Sequence, residues 1–273
     1  MKKDRTMLFA DVLQQFKAGQ ADELQIEVPA QWGQGRAVFG GMASALALAH
    51  LITELPAQIP LRSVSVSFVA PLNAGPATVS RRILRQGKSV IQAMVEITQQ
   101  DQVALVLLAS FGAERPSAYQ IKAETAPEFN TKAMVLPKQG PAPEFTRHFD
   151  YHITRGVMPF SGGTGTELGG LIRFAEGEST AVGVLELLAL VDAWPPVSLT
   201  LLNQPAPASS LTWTIEFIQP HQGAETKALT TDWWSYLASI EHGADGYHHI
   251  EAKLWQPDGQ LAAISRQTVT VFA

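Results

Sequence analysis

An α+β fold of two like halves is the class this sequence predicts, each half an antiparallel sheet wrapped round one apolar helix. Three observations carry the prediction. Two runs, FGGMASALALAHLI (Phe39 to Ile52) and VGVLELLALVDA (Val182 to Ala193), are apolar nearly throughout and long enough for helices. Each is followed by several segments of strand length and composition. The turns between those segments are short, which favours antiparallel pairing. A sheet curled round a helix covers it on nearly every side, which accounts for the low polarity of both runs.

In chain order, the first helix is followed by SVSVSFVAP (Ser63 to Pro71), where Val64, Val66 and Phe68 share one face. ATVSRRILRQG, SVIQAMVEITQQ and QVALVLLASF read as three further strands. From Gly112 to about Glu144 the chain is rich in Pro, Glu, Lys and Ala and keeps no period, so it reads as a linker. SGGTGTELGG (Ser161 to Gly170) reads as a flexible loop entering the second helix, since it lacks the Lys of a P-loop. After that helix, SLTWTIEFIQP (Ser210 to Pro220) alternates again, with Leu211, Trp213, Ile215 and Phe217 on one face. ETKALTTDWWSYLASIEH, YHHIEAKLWQ and QLAAISRQTVTVF complete the set, the last two joined by Pro257-Asp258-Gly259. Phe68-Val-Ala-Pro71 and Phe217-Ile-Gln-Pro220 are the closest internal repeat. The expected division is residues 1–112, a linker over 113–145, and 146–273.

Composition sets limits on function. A net charge of −5 lacks the basic footprint of a general nucleic-acid binder. The absence of cysteine removes disulfides, thiolate catalysis and Cys-ligated metal. There is no apolar stretch of signal-peptide kind at the N-terminus and no window of ~18 apolar residues, so no membrane span and a cytoplasmic setting are expected. His248 and His249 are adjacent on a strand and point to opposite faces, which does not suit a shared metal. Trp233 and Trp234 read as strand packing, the other reading being the lining of an acyl tunnel, and His50 as a satisfied core or interface histidine. Arg81, Arg82, Arg85 and Lys88 form a basic cluster that reads as a solvated strand face, the other reading being contact with coenzyme phosphates.

The stretch QWGQGRAVFGGMASALAL resembles the N-terminal signature of the acyl-CoA thioesterase II type of double-hotdog proteins, carried here by Trp32, Gly35, Arg36, Phe39, Gly40 and Gly41. The Gln that commonly follows Phe-Gly-Gly in that family is Met42 here. The resemblance spans roughly Phe9 to Phe272. It implies the double hotdog fold and hydrolysis of acyl-CoA to free acid and coenzyme A. It implies no metal or redox cofactor, coenzyme A being part of the substrate, and further self-association into a homo-oligomer. It also implies a water held by an Asp, a Ser or Thr, and a Gln of the second half. Those positions match Asp192 at the end of the second helix, Ser210 at the start of the Phe-x-x-Pro strand, and Gln267 in the last strand.

The chemistry stands on the residue types as well. Pro195 and Pro196 place Asp192 in the last turn of its helix. The partial negative charge of a helix C-terminus, with burial, raises a carboxylate's proton affinity. Ser210 and Gln267 can orient a water beside it, and no G-x-S-x-G elbow marks Ser210 as a nucleophile. Oxyanion donors are expected in the helix-opening backbone at Gly40, Gly41 and Met42, where N–H groups lack intrahelical partners. Gly169 and Gly170 are the expected counterpart in the second half. Taken singly, Asp192 is a helix-end polar residue, Ser210 a strand-start hydroxyl and Gln267 a solvent-facing strand residue. Strict alternation also turns Ser210 away from the face of Leu211. Leu61, Ala109 and His50 stand at the equivalent positions of the first half, so one working site per chain is expected. Two alternatives are a non-catalytic acyl-CoA binder and a hotdog enoyl-CoA hydratase. The second is disfavoured because no His follows Asp192 within a few residues.

Overall fold

Eleven consecutive residues, Gly41 to Leu51, are buried in the first long helix, which only a helix enclosed by its own domain can show. The computed structural model describes all residues except 1–6, 57, 130, 131, 176, 178 and 219–226. Gln219 and Pro220 of the internal repeat, and Glu225 and Thr226 of the next expected strand, lie outside the described residues. The described elements in order are α1 (Phe9–Leu13), β1 (Glu23–Val28), β2 (Gly33–Gln34), β3 (Ala37–Val38), α2 (Gly40–Ile52), β4 (Leu61–Phe68), β5 (Gly75–Gln86), β6 (Val90–Gln99), β7 (Gln102–Gly112), β8 (Met134–Val135), β9 (Phe149–Arg155), β10 (Glu167–Phe174), α3 (Val184–Asp192), β11 (Ala208–Phe217), β12 (Trp234–Ala244), β13 (Tyr247–Trp255) and β14 (Leu261–Val271).

One antiparallel sheet of twelve strands runs β1-β5-β6-β7-β4-β11-β14-β13-β12-β10-β9-β8. Its centre is the pair β4–β11, where Val66 faces Trp213 and Val64 faces Ile215. Outward from that pair the two halves repeat one order. The first strand after the helix pairs with the last, the last with the third, and the third with the second. The inward faces meet α2 and α3, which pack on each other. This is the double hotdog arrangement.

Three expectations need correction. The helices do not open their halves: β1 precedes α2 and pairs with β5, and β9 and β10 precede α3. These strands carry weak alternation, and Gly169-Gly170 breaks β10 with a register shift against β9. The SGGTGTELGG stretch therefore ends in a strand, and Gly169 and Gly170 do not open the second helix. Gly183 is its N-cap, and its N–H donates to the Glu186 carboxylate at 2.9 Å.

Arg81 is also not on a solvated face. It is buried and donates to the backbone carbonyls of His50 (2.7 Å) and Gln20 (2.6 Å) and to the Thr53 hydroxyl (3.0 Å), capping the C-terminus of α2. His50 lies in that same cluster, its Nε2 3.1 Å from the Asp22 carbonyl. Trp234 is fully buried, and Trp233 stacks on His152 and under the Arg173 guanidinium.

Candidate active site

The α2 N-terminus lies against the end of α3, and the site forms there. A Cβ on Gly41 would come within 2.9 Å of the Leu188 carbonyl oxygen. A Cβ on Gly40 would stand 2.7 Å from Asp192 Oδ2 and 2.9 Å from the Phe68 ring. Both positions need glycine because two helices and a ring close on them. The approach sets the positive end of one helix against a carboxylate at the negative end of the other.

Asp192 accepts a hydrogen bond from Gln267 Nε2 on Oδ1 at 2.7 Å, and another from the Gly41 N–H. Ser210 Oγ donates to Gln267 Oε1 at 3.0 Å. Gln267 thus stands between the other two, and all three border a cavity of about 300 Å³. Burial pushes the Asp192 carboxyl up to about 7, against the opposing pull of the Gln267 and Gly41 donors. The α3 end is clamped from behind. Tyr151 donates to the Ala193 carbonyl at 2.9 Å, and Trp194 stacks flat on Tyr236 with 4.8 Å between ring centres.

Local backbone explains how Ser210 reaches the cavity. The pairing of β11 with β14 shifts between Ser210 and Thr212, leaving Leu211 as an extra residue. Such a bulge reverses the facing of everything on one side of it. Trp213, Ile215 and Phe217 are buried as the alternation requires, whereas Leu211 is exposed. Leu211 therefore does not belong to the inward face expected for it. Gln267 pairs with Trp213 and with Ile250, both buried, so it faces inward and not to solvent. That was legible from Ala263, Val269 and Val271, which share its parity.

Of the helix-opening residues, Gly40 borders the cavity, Gly41 turns its N–H onto Asp192, and the Met42 side chain is wholly in the core. Sequence reasoning missed the walls. The first half supplies Phe68, Leu72, Ala104 and Leu105, and Trp194 stands two residues beyond Asp192. The Phe68–Pro71 repeat was the available signal, since Phe68 to Pro71 all border the cavity. Among the described residues no cluster of three His, Asp or Glu could hold a metal. No helix of the described residues is long and apolar enough to cross a membrane.

Fold and site together define a double-hotdog protein whose cavity is centred on one partly buried carboxylate. The profile of the acyl-CoA thioesterase N-terminal domain matches residues 28–112, and that of the C-terminal domain matches residues 123–271. The chain belongs to the acyl-CoA thioesterase family and is a thioester hydrolase. Solved structures agree on the fold. A hot dog protein of unknown function from Alicyclobacillus acidocaldarius superposes with a TM-score of 0.85 at 20% identity, covering 97% of this chain and 98% of that one. The acyl-CoA thioesterase II TesB2 of Mycobacterium marinum gives 0.72 at 15% identity, covering 96% of each chain. The tesB protein of Mycobacterium avium subs paratuberculosis gives 0.72 at 18%, covering 97% of this chain and 99% of that one. No curated protein matches the chain in sequence.

Proposed function

We propose that the chain hydrolyses an acyl-CoA thioester to the free acid and coenzyme A, with Asp192 as the general base. The observation that carries this reading is the Ser210–Gln267–Asp192 hydrogen-bond chain on the cavity wall, the carboxyl being held near neutral. Asp192 removes a proton from water as the water oxygen adds to the thioester carbon. Ser210 and Gln267 orient that water and the carboxylate. Negative charge gathers on the former carbonyl oxygen and meets the first turn of α2, at Gly40, Gly41 and Met42. The Gly41 N–H is engaged by Asp192, so Gly40 and Met42 carry the N–H groups of that turn that have no partner inside the helix. Collapse breaks the carbon–sulfur bond, and the proton on Asp192 passes to the departing thiolate. Every proton and electron pair is accounted for by water and the carboxyl, so the step requires no cofactor beyond the coenzyme A of the substrate.

The same proposal divides the chain at 112 and 145, places it in the cytoplasm and includes a homo-oligomer. Leu84 and Leu108, exposed on the outer face of the sheet, support the last point, which sedimentation would test. Thiol release from short, medium, long and aromatic acyl-CoAs tests the chemistry. Wild type is expected to turn over at least one class, and Asp192→Asn to lose about a hundredfold or more. Coenzyme A binding without turnover of any thioester would favour the non-catalytic binder instead.

A further inference from the structure

Pro195 and Pro196 do more than end α3. Neither has an N–H, so at these two positions the chain beyond the helix offers no donor to the carbonyls of its last turn. The carbonyl of Ala193, the residue after Asp192, takes its donor from another part of the fold. Tyr151 of β9, 1% exposed, donates its hydroxyl to that oxygen at 2.9 Å. The same ring meets Trp194 edge to face, with 5.7 Å between ring centres and 88° between planes. Trp194 borders the cavity and lies flat on Tyr236 of β12. One phenol thus fixes both residues that follow Asp192, the first by a hydrogen bond and the second by packing. The described wall of the cavity does not include Tyr151, so any effect it has on the reaction passes through the end of α3.

Charge is a second link between Tyr151 and the site. Burial, and then the Asp192 charge, pushes the Tyr151 and Tyr236 phenols up from their ordinary value. Tyr151 therefore keeps its proton at every working pH and is a constant donor. The charges on the other elements packed against α3 are engaged elsewhere. His50 of α2 lies with Arg81, and Glu186 of α3 itself accepts from Gly183. Glu167 and Arg173 of β10 pair with Arg155 and Asp150. Glu251 and Lys253 of β13 pair with each other, and His248 of the same strand answers to His242 and His249. Arg266 of β14 pairs with Glu241.

We propose that Tyr151 is a positioning residue for the reaction: by holding the Ala193 carbonyl it fixes the end of α3 and lets Asp192 carry its negative charge there. The inference rests on the thioesterase reading and adds to it a residue that touches no substrate. Without the hydroxyl, the negative end of the Ala193 carbonyl dipole would stand unopposed one peptide from the carboxylate, and ionisation would cost more. Asp192 would then reach its basic form only at higher pH.

Tyr151→Phe removes the hydroxyl and keeps the ring. With an acyl-CoA that is turned over, the rise of kcat/KM with pH that Asp192 produces is expected to move up by about half a unit or more. The rate at pH 6 then falls about threefold or more, and the rate at pH 9 recovers to within about twofold of wild type. Arg81→Met, which loosens the opposite end of α2, is expected to leave that rise in place. A rate lowered by one factor at every pH would make the Tyr151 bond a packing contact only and overturn the proposal. An equal shift in Arg81→Met would overturn it as well. Urea unfolding supplies a readout that needs no turnover. Asp192 is protonated at pH 4 and ionised at pH 8, so Tyr151→Phe is expected to lower the unfolding midpoint more at pH 8 than at pH 4. In the Asp192→Asn background the two losses are expected to be equal. Equal losses with Asp192 present would contradict the proposal. If no thioester is turned over, the thioesterase reading fails, and the unfolding comparison still decides what Tyr151 does for Asp192.

Discussion

Asp192 carries two consequences that pull in opposite directions. As a base it must be ionised, so kcat/KM should rise with pH through a midpoint near 7 and level off above it. As a partly buried carboxylate with a raised proton affinity it should weaken the fold. Its folded-state value lies above its value in the unfolded chain, so between about pH 4 and 7 the folded state holds the extra proton and stability falls as pH rises. Asp192→Asn should therefore raise stability by about 1–3 kcal/mol at pH 8 and by nearly nothing below pH 4, read from thermal unfolding at both values. Ser210→Ala removes the hydroxyl that holds the Gln267 carbonyl, and steady-state rates should fall about tenfold. At this scale the sequence was informative in a particular way. No one of Asp192, Ser210 or Gln267 declares itself, and only their joint match to a family pattern singled them out. The Gly41 N–H on Asp192 could not be read at all, because it depends on how closely two helices approach.

The α2 N-terminus and the β11 bulge are the elements that make the site. Gly40→Ala drives a methyl group against Asp192 Oδ2 and the Phe68 ring. A loss of about 1–3 kcal/mol in stability is expected, with a larger fractional loss in turnover, measured by urea unfolding beside thiol release. Deleting Leu211 removes only the extra residue and leaves Ser210 opposite Val269 and Thr212 opposite Thr268, so Ser210 should keep facing inward and turnover should survive with the circular dichroism of the wild type. The apolar helices and the long strands after them were legible because burial on a regular period is a strong signal. β1, β9 and β10 were not, since short strands interrupted by Gly169-Gly170 keep no clean period. Nor was the bulge. Strict alternation placed Leu211 inward and so turned Ser210 away from the site; the extra residue shows only in the pairing with β14.

At the scale of the whole molecule, two halves of one plan have diverged in what they hold at the helix end. In the second half that place is Asp192 beside a cavity. In the first it is His50, closed off by Arg81 with Asp22 and Glu54 beside it. A non-hydrolysable thioether analogue of acyl-CoA should accordingly bind with one site per chain by calorimetry. Arg81→Met should cost about 2 kcal/mol or more in unfolding measurements without altering that stoichiometry. The repeat itself was visible in the sequence, and the difference between the halves showed there only as three unlike residues, Leu61, Ala109 and His50. The cavity draws its walls from both halves and its Asp192, Ser210 and Gln267 from the second, an arrangement that needs the β4–β11 junction and is invisible to either half alone. The most direct test of the central claim is the pH dependence of kcat/KM for wild type and Asp192→Asn on one acyl-CoA between pH 5 and 9. The account predicts a wild-type limb with a midpoint near 7 that is absent from the residual activity of the variant. A flat wild-type profile, or a limb that survives the substitution, would contradict it.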